Sequence, residues 1–261
     1  MGSSLRRTLH LFIIGAMLAR MHFVSYIMAI VNSVLWLLII FVPAVLLTGK
    51  PVDAFRTFIP GVLALSVGGV GMWAATEFLR WYVYEGLTDL FRENGLGVVH
   101  YLLAGAPIEA LTHGVPTFLL AGIGVCAYLK LPLDVIVPTN PLALVAAVLA
   151  SIPVYMVCGS IIAYFYTTTR ISDAWTNLIQ MLLALGTIVP PSIGGPPELY
   201  LANPATLVAE LARAAYNANI IPSWELVVLT PVLSIVWLIV ALLVGRLCDT
   251  YIARHGIEYR I

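Results

Sequence analysis

Few residues of this sequence have the types and spacing that catalysis or ion binding requires. A phosphate-binding loop needs G-x-x-x-x-G-K-[ST], and the one Gly-Lys pair, Gly49-Lys50, is followed by Pro51. Ala44 stands where the first glycine of that loop should be. No H-E-x-x-H occurs, and no two of the five histidines are four residues apart. The sequence therefore predicts no catalytic, cofactor or metal site, and no ATP hydrolysis by this chain itself.

The remaining candidates for chemistry are isolated from one another along the chain. Ser151, Ser160 and His113 could be imagined as a nucleophile system, but nothing in their spacing places them together. Glu77 and Glu109 stand near the ends of apolar runs, where a structural role at the membrane boundary is the simpler interpretation. An intramembrane enzyme is kept only as a minor alternative.

Composition indicates a protein whose surface faces lipid. The 261 residues are 61% hydrophobic and 10% charged, whereas a soluble domain carries about 25% charged residues. The net charge is zero, so electrostatics favours no nucleic-acid partner. The three cysteines, Cys126, Cys158 and Cys248, have no metal-site or disulfide spacing and are predicted to be small packing residues.

Six apolar stretches are long enough to cross a bilayer as helices. A hydrocarbon core of about 30 Å needs roughly 20 residues of helix, and lipid offers backbone groups no other partners. The predicted spans are residues 22–48, 59–79, 108–129, 141–166, 174–194 and 223–247. The sequence thus predicts an all-α membrane protein with six transmembrane helices, residues 1–261 forming a single transmembrane domain.

The distribution of lysine and arginine predicts the orientation. With six spans, the side that holds both termini has nine of these residues and the other side has four. The nine are Arg6, Arg7, Arg20, Arg80, Arg92, Arg170, Arg246, Arg254 and Arg260; the four are Lys50, Arg56, Lys130 and Arg213. Because positive residues accumulate on the cytoplasmic side, we expect a multi-pass protein of the cell membrane with cytoplasmic termini.

Residues 3–21 precede the first span and have an imperfect amphipathic pattern. One helical face contains Leu5, Leu9, Phe12, Ala16 and Met17, and the basic residues lie outside this face. This pattern favours an N-terminal interfacial helix that lies along the membrane. The alternative is an inward extension of the first span.

Residues 80–107 form a charged insert between two apolar runs. A helix over residues 84–95 would place Glu85, Asp89, Arg92 and Glu93 on one face and Leu87, Leu90 and Phe91 on another. Gly95 and Gly97 would end this helix, and Pro107 could start the third span. The pattern predicts a short amphipathic cytoplasmic helix, with a solvated loop helix as the alternative.

Residues 195–222 predict a short helix on the outer side, between spans five and six. Asn203 can cap a helix whose first turn holds Pro204, and Glu210 can pair with Arg213. Leu207 and Leu211 belong to an apolar stripe along this helix. A helix lying on the membrane surface is the alternative.

The order of these motifs resembles the permease subunit of type 2 ABC transporters, the exporter class with six spans per subunit. After the second span, the family's Glu-rich helix, Gly-Thr-Leu-Glu, Leu-Leu pair and proline have counterparts here. Neither glycine is followed by threonine in this chain, and His100 stands near the place of the family's glutamate. The matching residues are Glu93-Asn94-Gly95-Leu96-Gly97, Leu102-Leu103 and Pro107, and then Pro190-Pro191, Pro196-Pro197, Asn203-Pro204 and Arg213.

The resemblance implies a permease that forms the export path as a dimer, with ATP and Mg²⁺ bound by separate ATPase subunits. In the family, the helix after the second span is a coupling helix that seats in a groove of the ATPase. The residues that would make this contact are Glu85, Leu87, Asp89, Leu90, Phe91, Arg92, Glu93 and Gly95. Leu207 and Leu211 would form an outer gate. The second permease copy could be identical or different, and membrane lipids would surround both.

Cargo and energy source have alternatives at this stage. The resemblance implies export of a drug, lipid, glycan or other amphipathic molecule without selecting one. A secondary transporter is the stronger rival class, but it would need charge at midspan and usually an internal repeat. The sequence has neither, so the ATP-driven permease is preferred.

Overall fold

The structure, a computed structural model, is built from helices joined by short turns. It describes residues 23–47, 49–77, 95–169, 173–188, 196–217 and 224–255, with the single positions 6, 9, 10, 12, 13, 16, 17, 20, 93 and 194. Within this part of the chain no strand occurs. The prediction of an all-α protein is confirmed.

Helices α1, Phe23–Leu47, and α2, Pro51–Glu77, form a hairpin. Gly49 lies between them at φ +67°, and its N–H donates to the Leu46 carbonyl at 3.4 Å. A glycine readily adopts this left-handed conformation just beyond a helix, and proline suits the first position of the next one. Because Pro51 starts α2, this helix begins eight residues before the predicted start at residue 59.

Helix α3, Val98–Glu109, continues through a π-helical turn, Ala110–Gly114, into α4, Val115–Leu129. The predicted start of the third span at residue 108, after Pro107, is therefore wrong as a helix boundary. The helix starts at Val98 because the Val98 N–H donates to Asp249 Oδ1 at 3.0 Å. A carboxylate at this position satisfies a free backbone donor and interacts favourably with the helix dipole.

Helix α5, Pro141–Thr169, is the centre of the bundle. It packs against α2 and against α9, Trp224–His255, and eight consecutive residues, Pro153 to Ser160, are buried. Cys126, Cys158 and Cys248 are buried and unpaired, which confirms their prediction as packing residues. The core is thus one cluster that joins α1 to α5, α9 and the two longer helices described next.

Helices α6, Asp173–Ile188, α7, Leu199–Ala202, and α8, Pro204–Tyr216, follow α5. Asn203 caps α8 as predicted, because its Oδ1 accepts from the Ala205 N–H at 2.9 Å. Every residue of α8 from Ala205 to Tyr216 is buried, against α2, α5 and α6. The alternative of a helix lying on the membrane surface is therefore wrong, while its placement on the outer side stays a prediction.

Three helical stretches among the described residues are long and apolar enough to cross a membrane: Leu111–Leu129, Pro141–Thr169 and Val227–His255. Shorter apolar stretches, Ile30–Ile39 and Thr176–Thr187, lie in α1 and α6. The described positions between residues 6 and 20 are helical. These features are compatible with a membrane protein; the count of six spans and the interfacial placement of the N-terminal helix stay predictions.

Candidate functional site

A cavity of about 560 Å³ lies between α1, α2, α6 and the π-helical turn with α4. This volume is within the range of small-molecule sites, roughly 300–1,000 Å³. Its lining mixes apolar groups with hydroxyl, amide and imidazole groups. The polar lining residues are Asn32, Ser33, Ser66, His113, Thr117, Asn177 and Gln180.

The cavity has a buried end and an open mouth. Thr117 and Leu37 are buried, whereas Trp36 is 60% exposed and Met181 is 67% exposed. Asn32 and Asn177 are exposed as well, so the mouth combines apolar and amide groups, and the Thr117 hydroxyl lies at the buried end. By contrast, the apolar void beside Leu37 and Phe55 has only about 10 Å³, roughly the room of one water molecule, and is a packing gap.

The π-helical turn places two polar side chains in the cavity. Pro116 has no N–H for the Thr112 carbonyl, and its ring crowds that carbonyl, so a regular α-helix is unfavourable here. The wider turn at Ala110–Gly114 accommodates this conflict. His113 and Thr117 both line the cavity as a result. Single π-helical turns inside longer helices are frequent at functional sites.

Among the lining residues that the structure describes there is no carboxylate, lysine or arginine. Its amides and hydroxyls can donate and accept hydrogen bonds, and His113 can do either. Thr117 Oγ1 is buried and has no hydrogen-bond partner in the structure. In the described part of the chain no group of three or more His, Cys, Asp or Glu is placed to hold a metal ion. The described lining therefore offers several kinds of hydrogen-bonding group.

Arg213 on α8 forms hydrogen bonds to α2 and α6, two of the helices that wall the cavity. Its Nε donates to the Thr57 carbonyl of α2 at 3.0 Å, and its Nη2 donates to the Thr187 carbonyl of α6 at 2.6 Å. Arg213 is only 1% exposed and Glu210 only 2%. Burial lowers the pKa of Arg213 to about 10, an effect that nearby Glu210 opposes, so the guanidinium stays charged at neutral pH.

Gly61 allows α6 to approach α2 closely, and Gly186 allows the start of α8 to approach α6 closely. A Cβ at Gly61 would lie 2.5 Å from the Thr187 carbonyl oxygen, and a Cβ at Gly186 would collide with Asn203 Nδ2. Asn203 Nδ2 also donates to the Leu182 carbonyl at 2.6 Å. Helix α8 therefore fixes the spacing between α2 and α6, although neither Gly61 nor Gly186 lines the cavity.

Most of the predicted ATPase-contact residues, Glu85, Leu87, Asp89, Leu90, Phe91 and Arg92, lie outside the described residues. Glu93 is exposed at a helical position, and Gly95 forms a turn at φ +67°. Gly97 directly precedes α3, and a Cβ there would collide with the Asp249 carboxylate. The insert is thus connected to a helix start that α9 holds in place.

The predicted gate residues lie apart from the cavity. Leu207 and Leu211 are buried along α8 and do not line it. The cavity itself was not predicted, although a signal existed: His113, Asn177 and Gln180 stand inside predicted spans. Sequence spacing alone does not show that these side chains, from separate helices, face one space.

The structure does not bring Ser151, Ser160 and His113 together through hydrogen bonds. Ser151 Oγ donates to the Val148 carbonyl of its own helix, and Ser160 Oγ is buried without a partner. Among the described residues no hydrogen bond connects either serine to His113.

No protein-family model, curated protein or solved structure matches this chain.

Proposed function

We propose that this chain is the membrane-spanning permease subunit of an ATP-driven ABC transporter that exports an amphipathic molecule. The observation that carries this proposal is the cavity of about 560 Å³, which is walled by helices and combines apolar and hydrogen-bonding groups. An amphipathic molecule needs both kinds of surface, and a purely structural bundle would fill such a space with side chains.

The helix positions support the topology of this proposal. A described helix coincides with much of each of the six predicted spans: α1, α2, α3 with α4, α5, α6 and α9. In the proposed arrangement the termini and residues 80–107 are cytoplasmic. Two permease subunits associate in the cell membrane, and each binds one ATPase subunit, which holds the ATP and Mg²⁺.

The contact at Asp249 supports a route from the insert to the membrane helices. Val98, three residues after Gly95, donates to Asp249 of α9. A displacement of the insert by the ATPase would therefore act on α3 and α9 together. Because α3 continues through the π-helical turn, the same displacement would reach His113 and Thr117 in the cavity.

A secondary transporter is the second candidate, because the cavity lies within one chain rather than between two. Ion coupling normally needs a charged or titratable group beside the substrate. His113 is a titratable side chain of the lining, and none of the lining residues within the described ranges is a carboxylate. The ATP-driven permease remains preferred, since it needs no ion site in this chain.

The ATPase partner is tested by purifying the full-length chain from its native membranes in mild detergent. We expect a co-purifying subunit with a phosphate-binding loop and an associated ATPase activity. Reversing both charges, Glu85→Arg with Asp89→Arg, should weaken that association at least about fivefold, as should Phe91→Ala. Asp134→Arg, at an exposed site on the predicted opposite side, is the matched control.

Transport is then measured in vesicles that contain the purified complex. ATP should drive accumulation of a fluorescent amphipathic dye. The charge-reversed variant should lose this ATP-driven accumulation, while its thermal unfolding temperature is unchanged. Transport that runs on an ion gradient without any ATPase would instead establish the secondary transporter.

A further inference from the structure

We propose that the cavity recognises a neutral amphipathic molecule whose polar end carries hydroxyl or amide groups, with Thr117 and His113 as its hydrogen-bonding partners. This inference rests on the proposed transport function for its biological meaning, but binding can be measured without transport. It concerns the chemical class of the cargo, which neither the sequence nor the family resemblance selects.

The lining residues that the structure describes favour a neutral ligand. None of them carries a carboxylate, an ammonium or a guanidinium group. A charged group that leaves water needs an opposite charge or several strong hydrogen bonds to compensate its lost hydration. An anionic or cationic head would find no opposite charge among these residues, whereas a hydroxyl or amide needs only neutral partners.

Thr117 provides the second, independent observation. The residue is 3% exposed, and its Oγ1 has no hydrogen-bond partner in the folded chain. Buried polar atoms are nearly always paired, so an unpaired one requires an explanation. A hydroxyl that lines a cavity of about 560 Å³ can be paired by what occupies that cavity.

The neighbouring group and the mouth define the orientation of the ligand. His113, four residues before Thr117, lines the same space and can donate or accept. At the other end, Trp36 and Met181 provide exposed apolar surface on α1 and α6, together with the exposed amides of Asn32 and Asn177. The polar end of the ligand therefore points toward Thr117, and its hydrocarbon part lies between Trp36 and Met181.

The probe is an alkyl β-glucoside with bromine in its chain, since bromine quenches tryptophan fluorescence on contact. The full-length protein is placed in lipid nanodiscs, and two further probes carry the same brominated chain with a trimethylammonium or a sulfonate head. We expect saturable quenching by the glucoside, with a Kd at least tenfold lower than for either charged probe. Trp36→Phe should remove the saturable part of the signal.

Variants at Thr117 separate binding from folding. Thr117→Val should raise the Kd of the glucoside about threefold to tenfold, the effect of one neutral hydrogen bond, while Thr117→Ser retains binding. Because Oγ1 has no partner in the fold, Thr117→Val should leave the unfolding temperature unchanged or slightly higher. Thr250→Val is the control, since its hydroxyl bonds the Arg246 carbonyl of its own helix.

Three results would overturn the inference: equal affinity for the charged probes, an unchanged Kd in Thr117→Val, or a saturable signal that persists in Trp36→Phe. An unchanged Kd would mean that water alone pairs with Oγ1. The results that would refute the proposed function differ from those that would refute the ligand assignment. Glucoside binding without any ATP-dependent transport would refute the transporter alone, and transport without binding in this cavity would refute the ligand assignment alone.

Discussion

Replacing Arg213 by methionine tests whether the buried guanidinium holds the walls of the cavity together. Methionine is of similar length and flexible, so it can occupy much of the same space without forming hydrogen bonds. The Thr57 and Thr187 carbonyls would both lose a charged donor, and Glu210 would lose a neighbouring cation. The substitution therefore removes the electrostatic part of the site and preserves most of its packing.

The magnitude follows from the two hydrogen bonds. Each bond from a charged donor contributes about 1.5–3 kcal/mol, so their loss should reduce the free energy of unfolding by about 3–6 kcal/mol. The same range is expected for removing one partner of a buried charged pair, about 3–5 kcal/mol. At roughly 2–4 °C per kcal/mol for a chain of this size, the unfolding temperature should fall by roughly 6–24 °C.

The assay is thermal unfolding in nanodiscs, followed by tryptophan fluorescence and by circular dichroism. Arg246→Met is the matched control, because Arg246 is exposed on α9 and should change stability by less than about 0.5 kcal/mol. Arg213→Lys should show an intermediate loss, since one ammonium cannot reproduce the two-pronged geometry that reaches both carbonyls.

A double-mutant cycle with Glu210→Gln measures the part due to the nearby carboxylate. We expect a coupling free energy of about 0.5–3 kcal/mol between the two positions. If Arg213→Met unfolds at the same temperature as Arg246→Met, the guanidinium does not hold α2 and α6, and the account of the cavity walls is refuted.

Two further predictions concern α8 and the start of α3. Leu207→Ala with Leu211→Ala should destabilise the protein by about 2–5 kcal/mol for each residue, because both are buried. If they also form a gate, ATP turnover in vesicles will continue without matching transport, and equal ratios of transport to ATP turnover in the variant and the wild type would refute the gate. Asp249→Ala should cost about 0.5–2 kcal/mol by leaving the Val98 N–H unpaired, with faster amide hydrogen exchange at the start of α3. Asp249→Asn should restore most of that protection, and unchanged exchange in both variants would refute the cap.

The sequence was sufficient where local chemistry determines the structure. Long apolar runs produced helices near the predicted spans, and Asn203 followed by Pro204 produced a capped helix start. Gly95 forms the predicted turn within the insert, with positive φ. Each of these signals acts within a few residues of its position, so no tertiary contact was needed to recognise it.

The start of α3 depended instead on a distant residue. Val98 and Asp249 are 151 residues apart, and no local pattern predicts that a carboxylate will meet this N–H. The burial of α8 also depended on distant residues. The spacing of Glu210 and Arg213 predicts a pair within the helix, whereas Arg213 donates to carbonyls of two other helices. The cavity likewise exists only after four elements have packed.

The complete burial of α8 also has a consequence for the order in which this protein is assembled. At 13 residues, α8 is about 20 Å long, too short to cross the roughly 30 Å hydrocarbon core alone. It carries an arginine that lipid would disfavour strongly, so it cannot be released into the bilayer as an independent unit during synthesis. Helices α2 and α6 precede α8 in the chain and provide the Thr57 and Thr187 carbonyls that bind Arg213. Docking of α8 therefore follows the synthesis of both helices, and a chain that stops before Pro204 would lack the helix that joins them.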